Sequence, residues 1–350
     1  MTKLLHDIRR EPAELSGILT YTAGPGRAAL ESAARIAGAA EHLYITGIGS
    51  SWHAGMAVAF LFETAGRPCH LIDASELLHF TRIPAHSAII VLSRSGRSFE
   101  IVGLLAKVKE AGAKVIAVTN TPASPLTEAA DVVLLLAARF DHLVSITMYS
   151  GLVAVGGLLA SAAADSPDAE LCRDLHAALA AVETTFESWC DRIGASNWLA
   201  PGGAPTYFLG RGGSLASCHE ARLLWEEAAK VPASAMTTGG FRHGPQEMVK
   251  AGLRLGLWIG GGPMRDPDLT LADDLRACGA QVLVIGQNVP RNAGDLVISL
   301  PPVPDLWQPL IDVIPAQIAA ESLARVNGED CDAFRFCPYI VETAGGLGAR

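Results

Sequence analysis

Ser93, Arg94, Ser95, Gly96, Arg97 and Ser98 bring three hydroxyls and a glycine into six consecutive positions. An apolar run at residues 88–92 precedes them, and residues 99–111 carry apolar side chains at helical spacing, so the segment reads as a turn from a buried strand into a helix. The first N–H groups of a helix lack intrahelical partners, and the aligned peptide dipoles concentrate positive charge there. Hydroxyl and amide donors gathered at such a point suit a phosphate. Ser98 alone would read as an ordinary N-cap, but a cap calls for one serine rather than three.

A second concentration of chemistry lies between residues 225 and 247. Glu226 and Glu227 sit on a helix that is apolar on one side, and residues 237–245 form a turn carrying His243. A carboxylate and an imidazole near a sugar phosphate could move a proton at a carbon next to a carbonyl and open a sugar ring. Spacing alone also allows a solvated helix face for the two glutamates and a structural role for His243. His53 and His219, on the first helices of two repeated units, read as packing or capping groups. No His, Cys and Asp cluster has metal-ligand spacing, so no metal is expected. A Gly-x-Ser-x-Gly hydrolase elbow does not occur. Gly47-x-Gly49 is not completed as a dinucleotide fingerprint, because Trp52 stands at the third glycine position, and the GxxxxGK[ST] loop is absent. No cofactor is therefore expected.

The elements that must carry these groups alternate as βα units. A helical arm runs to about residue 40, strands are expected at residues 43–47, 69–72, 88–92, 114–118 and 132–136, and helices at residues 52–64 and 99–111. This is an α/β pattern with a parallel doubly wound sheet. Helices at residues 144–164 and 168–193 follow, and the pattern then restarts. Tyr44, Gly47, Gly49 and Ser51 recur as Tyr207, Gly210, Gly212 and Ser214 at an offset of 163. Strands at residues 253–259, 281–285 and 296–299 continue the second copy, in which a glycine loop at residues 260–263 replaces the serine loop. Two tandem αβα sandwiches of flavodoxin-like order are expected. Their divisions are an arm at 1–40, a first domain at 41–165, a connecting helix at 166–195 and a second domain at 196–350.

The chain of 350 residues is half hydrophobic, enough for two sizeable cores. Its formal net charge of -9 disfavours nucleic acid and anionic membranes as partners, leaving a small, local anion site. Seven scattered cysteines without a CxxC pair read as the reduced thiols of a cytoplasmic protein. The first sixteen residues contain charges throughout and no apolar signal region, and no run of about 18 apolar residues follows.

The paired αβα units, the GIGSSWHAG segment, the SRSGRS loop and above all FRHGPQEM resemble the sugar isomerase (SIS) phosphosugar-binding family over nearly the whole chain. Its double-domain members include the isomerase half of glucosamine-fructose-6-phosphate aminotransferase, aminosugar-6-phosphate deaminases and isomerases, and fructosamine-6-phosphate deglycases. The resemblance implies that Ser51, Ser93, Ser95 and Ser98 hold phosphate, with Arg94 contributing backbone. It implies Leu143 and Ser145 along the sugar, Glu227 rather than Glu226 as the base, and His243 as the ring-opening group offered to a neighbouring subunit, hence a homodimer. Two lysines of relatives are replaced, one by Thr147 and the carboxy-terminal one by Tyr339. A glutaminase is not expected, because Thr2 follows Met1 and the first αβ unit begins near residue 40. The expectation is therefore a cytoplasmic isomerase/deaminase of an aminosugar 6-phosphate, the alternatives being a deglycase or a phosphosugar sensor without turnover.

Overall fold

The computed structural model describes residues 1–164, 168–200 and 205–346. The chain opens with α1 (Lys3–Ala23) and α2 (Arg27–Ala39), followed by β1 (His42–Thr46), α3 (Ser50–Thr64), β2 (His70–Leu71) and α4 (Ala74–His79). Next come β3 (Ser87–Leu92), α5 (Phe99–Glu110), β4 (Lys114–Thr119), α6 (Pro125–Ala129), β5 (Val132–Leu135), α7 (Thr147–Ala163) and α8 (Asp168–Gly194). The second half comprises β6 (Thr206–Gly210), α9 (Ser214–Glu227), β7 (Ala233–Thr237), α10 (Thr238–Arg242), β8 (Arg254–Ile259), α11 (Arg265–Ala277), β9 (Gln281–Gln287), β10 (Leu296–Leu300) and α12 (Ile314–Asn327).

The first sheet has the order β2-β1-β3-β4-β5 and the second β10-β9-β8-β6-β7, both parallel. Matched strand for strand, these are the same topology, the flavodoxin-like 2-1-3-4-5 order. Every residue of β3 and of β8 is buried, as expected for central parallel strands covered on both faces. Residues 147–160 of α7 are buried without interruption, so this helix is apolar all round and belongs to the core. It lies so close to α3 that a Cβ on Gly156 would come within 2.5 Å of Val58 Cγ2. No helix among the described residues is long and apolar enough to cross a membrane.

The repeat is visible in the backbone. Gly49 and Gly212 both take positive φ, 57° and 53°, at the same point of the first turn after β1 and β6. Gly47 and Gly210 pass so near the next helix that a Cβ would stand 2.8 Å from Ser51 O and 3.2 Å from Ser214 O.

Several elements differ from the sequence expectation. β7 was not anticipated, because Ala233–Thr237 is short, only partly buried and poor in β-branched residues. The compact units are Ala13–Arg173 with the chain from Phe334 onward, and Met1–Pro12 with Asp174–Ala333, rather than a simple division in chain order. The first residues join the second unit because Asp332 accepts from Lys3 N and Leu4 N at 2.8 and 2.9 Å and so caps α1, while the Arg9 guanidinium lies 5.6 Å from the Phe186 ring. The carboxy-terminal segment joins the first unit through Tyr339 and Val341, whose contacts are described below.

The second unit buries a carboxylate. Asp312 is fully enclosed and accepts from Ser214 Oγ at 2.6 Å, from Ser217 Oγ and from Gln308 Nε2 at 3.3 Å. Burial outweighs these three donors and pushes its pKa up to about 6. An acid whose folded pKa lies above its unfolded value contributes stability that is full at low pH and is lost as pH rises through the folded value. The stability of the wild type relative to Asp312→Asn should therefore fall by about 2 kcal/mol between pH 4.5 and 7.5, measured by urea denaturation of both proteins. A difference independent of pH would show that Asp312 is ionised alike in both states.

Candidate functional site

Strand order reverses between β1 and β3, which lie side by side in register from His42 opposite Ser87 to Thr46 opposite Val91. The chain therefore turns into α3 and into α5 at the same edge of the first sheet, the position where open α/β sheets hold ligands. Ser51 lies in the first turn of α3. Residues 93–98 make the other turn, with Gly96 at φ 63° and its missing Cβ replaced by Ser124 Oγ, which would stand 2.3 Å away. Only glycine fits there.

The loop orients its own hydroxyls. Ser93 Oγ accepts from Gly96 N at 3.1 Å and Ser95 Oγ from Arg97 N at 3.3 Å, so each hydroxyl hydrogen is left to donate elsewhere. Ser98 occupies the N-cap position of α5, yet its side chain makes no capping hydrogen bond. The ordinary cap reading thus does not account for it. Phe99 N donates to Val341 O at 2.9 Å, so the carboxy-terminal segment runs along this helix end.

Arg94 joins the parts of this unit. Its carbonyl accepts from Thr119 Oγ1 and Thr121 Oγ1 at 3.2 and 3.1 Å, which fixes the loop to the end of β4. Its guanidinium donates to Leu143 O and Ser145 Oγ, both at 3.4 Å, and to Tyr339 O at 2.7 Å, and it stacks on the Tyr339 ring at 4.1 Å. The side chain of Arg94 therefore connects the serine loop with Leu143 and Ser145, an arrangement that a purely backbone role did not foresee. Tyr339 OH donates to Asp141 O at 3.3 Å. The buried Asp141 carboxylate accepts from Ile146 N, Thr147 N and Met148 N at 2.9, 3.2 and 2.8 Å and so caps α7. Thr147 is buried in that first turn.

Glu227 and His243 belong to the second unit, as does the rest of the segment between them. Glu226 is ion-paired with Arg222 at 2.6 Å, one helical turn away, which is the solvated-face role. Glu227 ends α9 and is half-buried; its carbonyl accepts from Lys230 Nζ, which also donates to Ala333 O at 2.9 Å. His243 follows α10, is exposed, and its backbone N donates to Gly240 O at 3.1 Å. Gly244 after it takes φ 138°, a conformation that turns the chain away. His53 is buried and His219 half-buried on α3 and α9.

At the corresponding edge of the second sheet, carboxylates lie close to the equivalent turns. Ser214, the counterpart of Ser51, is engaged by Asp312, and Asp305 lies so near the glycine loop that a Cβ on Gly261 would meet its Oδ2 at 2.7 Å. The roles of Asp141, Lys230 and Asp312 in holding the surrounding backbone and side chains were not read from the sequence. Asp141 had a local signal, an acidic residue shortly before a long apolar helix, whereas the others depend on tertiary contacts. Among the described residues no group of His, Cys, Asp and Glu side chains could hold a metal ion.

Two parallel sheets, each with helices on both faces and each repeating one strand order, define a tandem α/β protein of the phosphosugar-isomerase type of fold. Residues 37–160, within the first unit, match the family model of the SIS domain. Glutamine–fructose-6-phosphate aminotransferase (isomerizing) of Pyrobaculum aerophilum is 29% identical over 343 residues, covering 94% of this chain and 55% of its own length. The enzyme of the same name from Geobacillus kaustophilus is 30% identical over 305 residues, covering 84% and 50%. The chain spans about half the length of the curated relatives it matches. The C-terminal domain of glucosamine-fructose-6-phosphate aminotransferase from Francisella tularensis superposes with a TM-score of 0.85 at 21% identity, covering 95% of this chain and 98% of that one. Glucosamine-6-phosphate deaminase from Thermotoga maritima superposes with 0.82 at 20% identity, covering 97% and 99%. Tagatose-6-phosphate ketose/aldose isomerase from Escherichia coli does so with 0.80 at 22%, covering 95% of each chain.

Asp141 gives this region a direct test. Asp141→Ala leaves three N–H groups of α7 without their acceptor and should lower stability by about 2 kcal/mol in urea denaturation. Asp141→Asn keeps one acceptor oxygen and should lose clearly less. Equal losses for the two variants would mean that the side-chain volume, not the cap, is what matters.

Proposed function

We propose that this protein is an aldose–ketose isomerase/deaminase acting on an aminosugar 6-phosphate. The observation that carries the reading is Ser98 at the start of α5, a serine in the N-cap position with its hydroxyl not spent on the cap. It shares the switch-point edge with Ser51, Ser93 and Ser95. Phosphate is the ligand that such a set of donors at helix N-termini suits best. In this reading Ser51, Ser93, Ser95 and Ser98 bind the phosphate, Arg94 holds Leu143 and Ser145 along the sugar, Glu227 is the general base, and His243 opens the ring. The exposure of His243 supports its being offered to a second copy of the chain in a homodimer.

The reaction needs no external oxidant or reductant. Once the ring is open, Glu227 takes the proton from C2 of the 2-amino aldose and returns it at C1, while the proton lost from the amine ends on O1, leaving an imine at C2 and a hydroxyl at C1. Water adds to that imine and ammonia leaves, giving the ketose 6-phosphate. Half-burial of Glu227 fits a base that must approach a carbon acid, while Glu226 is already committed to Arg222. Tyr339, at the position of a lysine in the aminotransferases, supports a degradative over a synthetic direction.

Incubation with glucosamine, galactosamine and fructosamine 6-phosphates, following ammonia, free amino acid and ketose separately, distinguishes the readings. Ammonia with ketose 6-phosphate is expected from a 2-amino aldose; amino acid release instead would make the protein a deglycase, and no product at all a sensor. Glu227→Gln and His243→Ala should each lose about 100- to 10,000-fold in rate while retaining phosphosugar affinity. Mixed under subunit exchange verified by native mass spectrometry, the two inactive variants should regain activity, because a hybrid dimer contains one site with both groups intact. No recovery would remove His243 from its neighbour's site.

A further inference from the structure

Arg254 opens β8, at the amino-terminal edge of the second sheet and thus the opposite edge from the switch point. It is a charged side chain only 5% exposed. Its guanidinium donates to Ala200 O, and Nε has no hydrogen-bond partner among the described residues. Burial alone perturbs its pKa, downward, with no acidic neighbour contributing. Residues 201–204, Pro-Gly-Gly-Ala, carry no ionisable side chain that could neutralise it. A guanidinium has five donors in a planar fork and stays protonated, so an anion is what completes its environment.

Arg254 lines a cavity of about 780 Å³ whose other walls include Met248, Lys250, Leu253 and Gln281. That volume lies in the range that holds small molecules. Glu247 also reaches the wall, but it is exposed, as is Lys250, so the charge deep in the cavity is that of Arg254. Apolar surface from Met248 and Leu253 beside one buried cation fits a small molecule with a single anionic group on a neutral or apolar body. Gln281 is held in place by Trp198, whose indole N–H donates to its carbonyl at 3.1 Å.

We propose that this cavity is a second anion-binding site, distinct from the serine loop, for a small carboxylate or phosphate monoester with an apolar body. Lys250 attracts the anion at the mouth and Arg254 receives it inside. The wall formed by residues 247–252 directly follows the turn bearing His243.

Calorimetric titration of the full chain with phenyl phosphate, benzoate and neutral benzyl alcohol tests the proposal, using Ser95→Ala protein to weaken binding at the serine loop. Saturable binding of phenyl phosphate or benzoate near one per chain is expected, with at least tenfold weaker binding of benzyl alcohol; the stronger of the two anions names the head group. Arg254→Met should weaken the anion at least tenfold and leave benzyl alcohol unchanged. Should that variant not fold, Lys250→Glu, on the exposed rim, should weaken the anion several-fold. Absence of saturable binding in Ser95→Ala protein, or unchanged affinity in either charge variant, would overturn the proposal.

Discussion

A parallel sheet whose order reverses between its first and third strands sends two turns out of one edge, and the rest of the first unit is arranged around that constraint. Both turns lead into helices, so two positive dipole ends lie at that edge. Glycine makes the approach possible: Gly47 lies against the Ser51 backbone and Gly96 against Ser124 with no room for a Cβ. The hydroxyl oxygens of the buried Ser93 and Ser95 accept from the loop's own amides, which leaves each hydroxyl hydrogen to donate. Arg94 extends the same framework to Leu143, Ser145 and Tyr339, so the loop, the start of α7 and the carboxy-terminal segment are one connected structure.

The second unit shows what the same backbone does without that chemistry. Its strand order and its first-turn glycine are retained, but the serine corresponding to Ser51 donates to a buried aspartate. Asp312 is buried against that serine, and Asp305 lies against the glycine loop. The repeated strand order is thus kept in both copies, while the serine loop of the first is replaced by a glycine loop in the second.

Much of this was legible in the sequence for physical reasons. Long apolar runs such as Ser87–Leu92 and the recurrence of glycines report directly on buried strands and tight turns, and the α/β class and the repeat followed from them. The N-cap position of Ser98 was likewise readable, because helix starts have local signatures, whereas Ser51, expected in the turn before a helix at residues 52–64, lies within the first turn of α3. Contacts between distant residues were not. Nothing near Tyr339 announces that its carbonyl and ring would hold Arg94, 245 residues earlier, so the segment, expected with the second domain, falls in the compact unit of Arg94. β7 escaped notice because Ala233–Thr237 has no alternating pattern, its place being set by pairing with β6. Arg254 lies in a strand that was expected at residues 253–259, but its burial and its contact with Ala200 O depend on tertiary packing that no local pattern announces.

Binding calorimetry on Ser95→Ala tests the assignment of the serine loop most directly. A hydroxyl donating to phosphate forms a charge-assisted hydrogen bond of roughly 1.5 to 3 kcal/mol, so loss of Ser95 should weaken an aminosugar 6-phosphate by about 10- to 100-fold. The same sugar without its phosphate should bind the variant and the wild type alike. An equal loss for both ligands, or none for either, would contradict a phosphate site at residues 93–98.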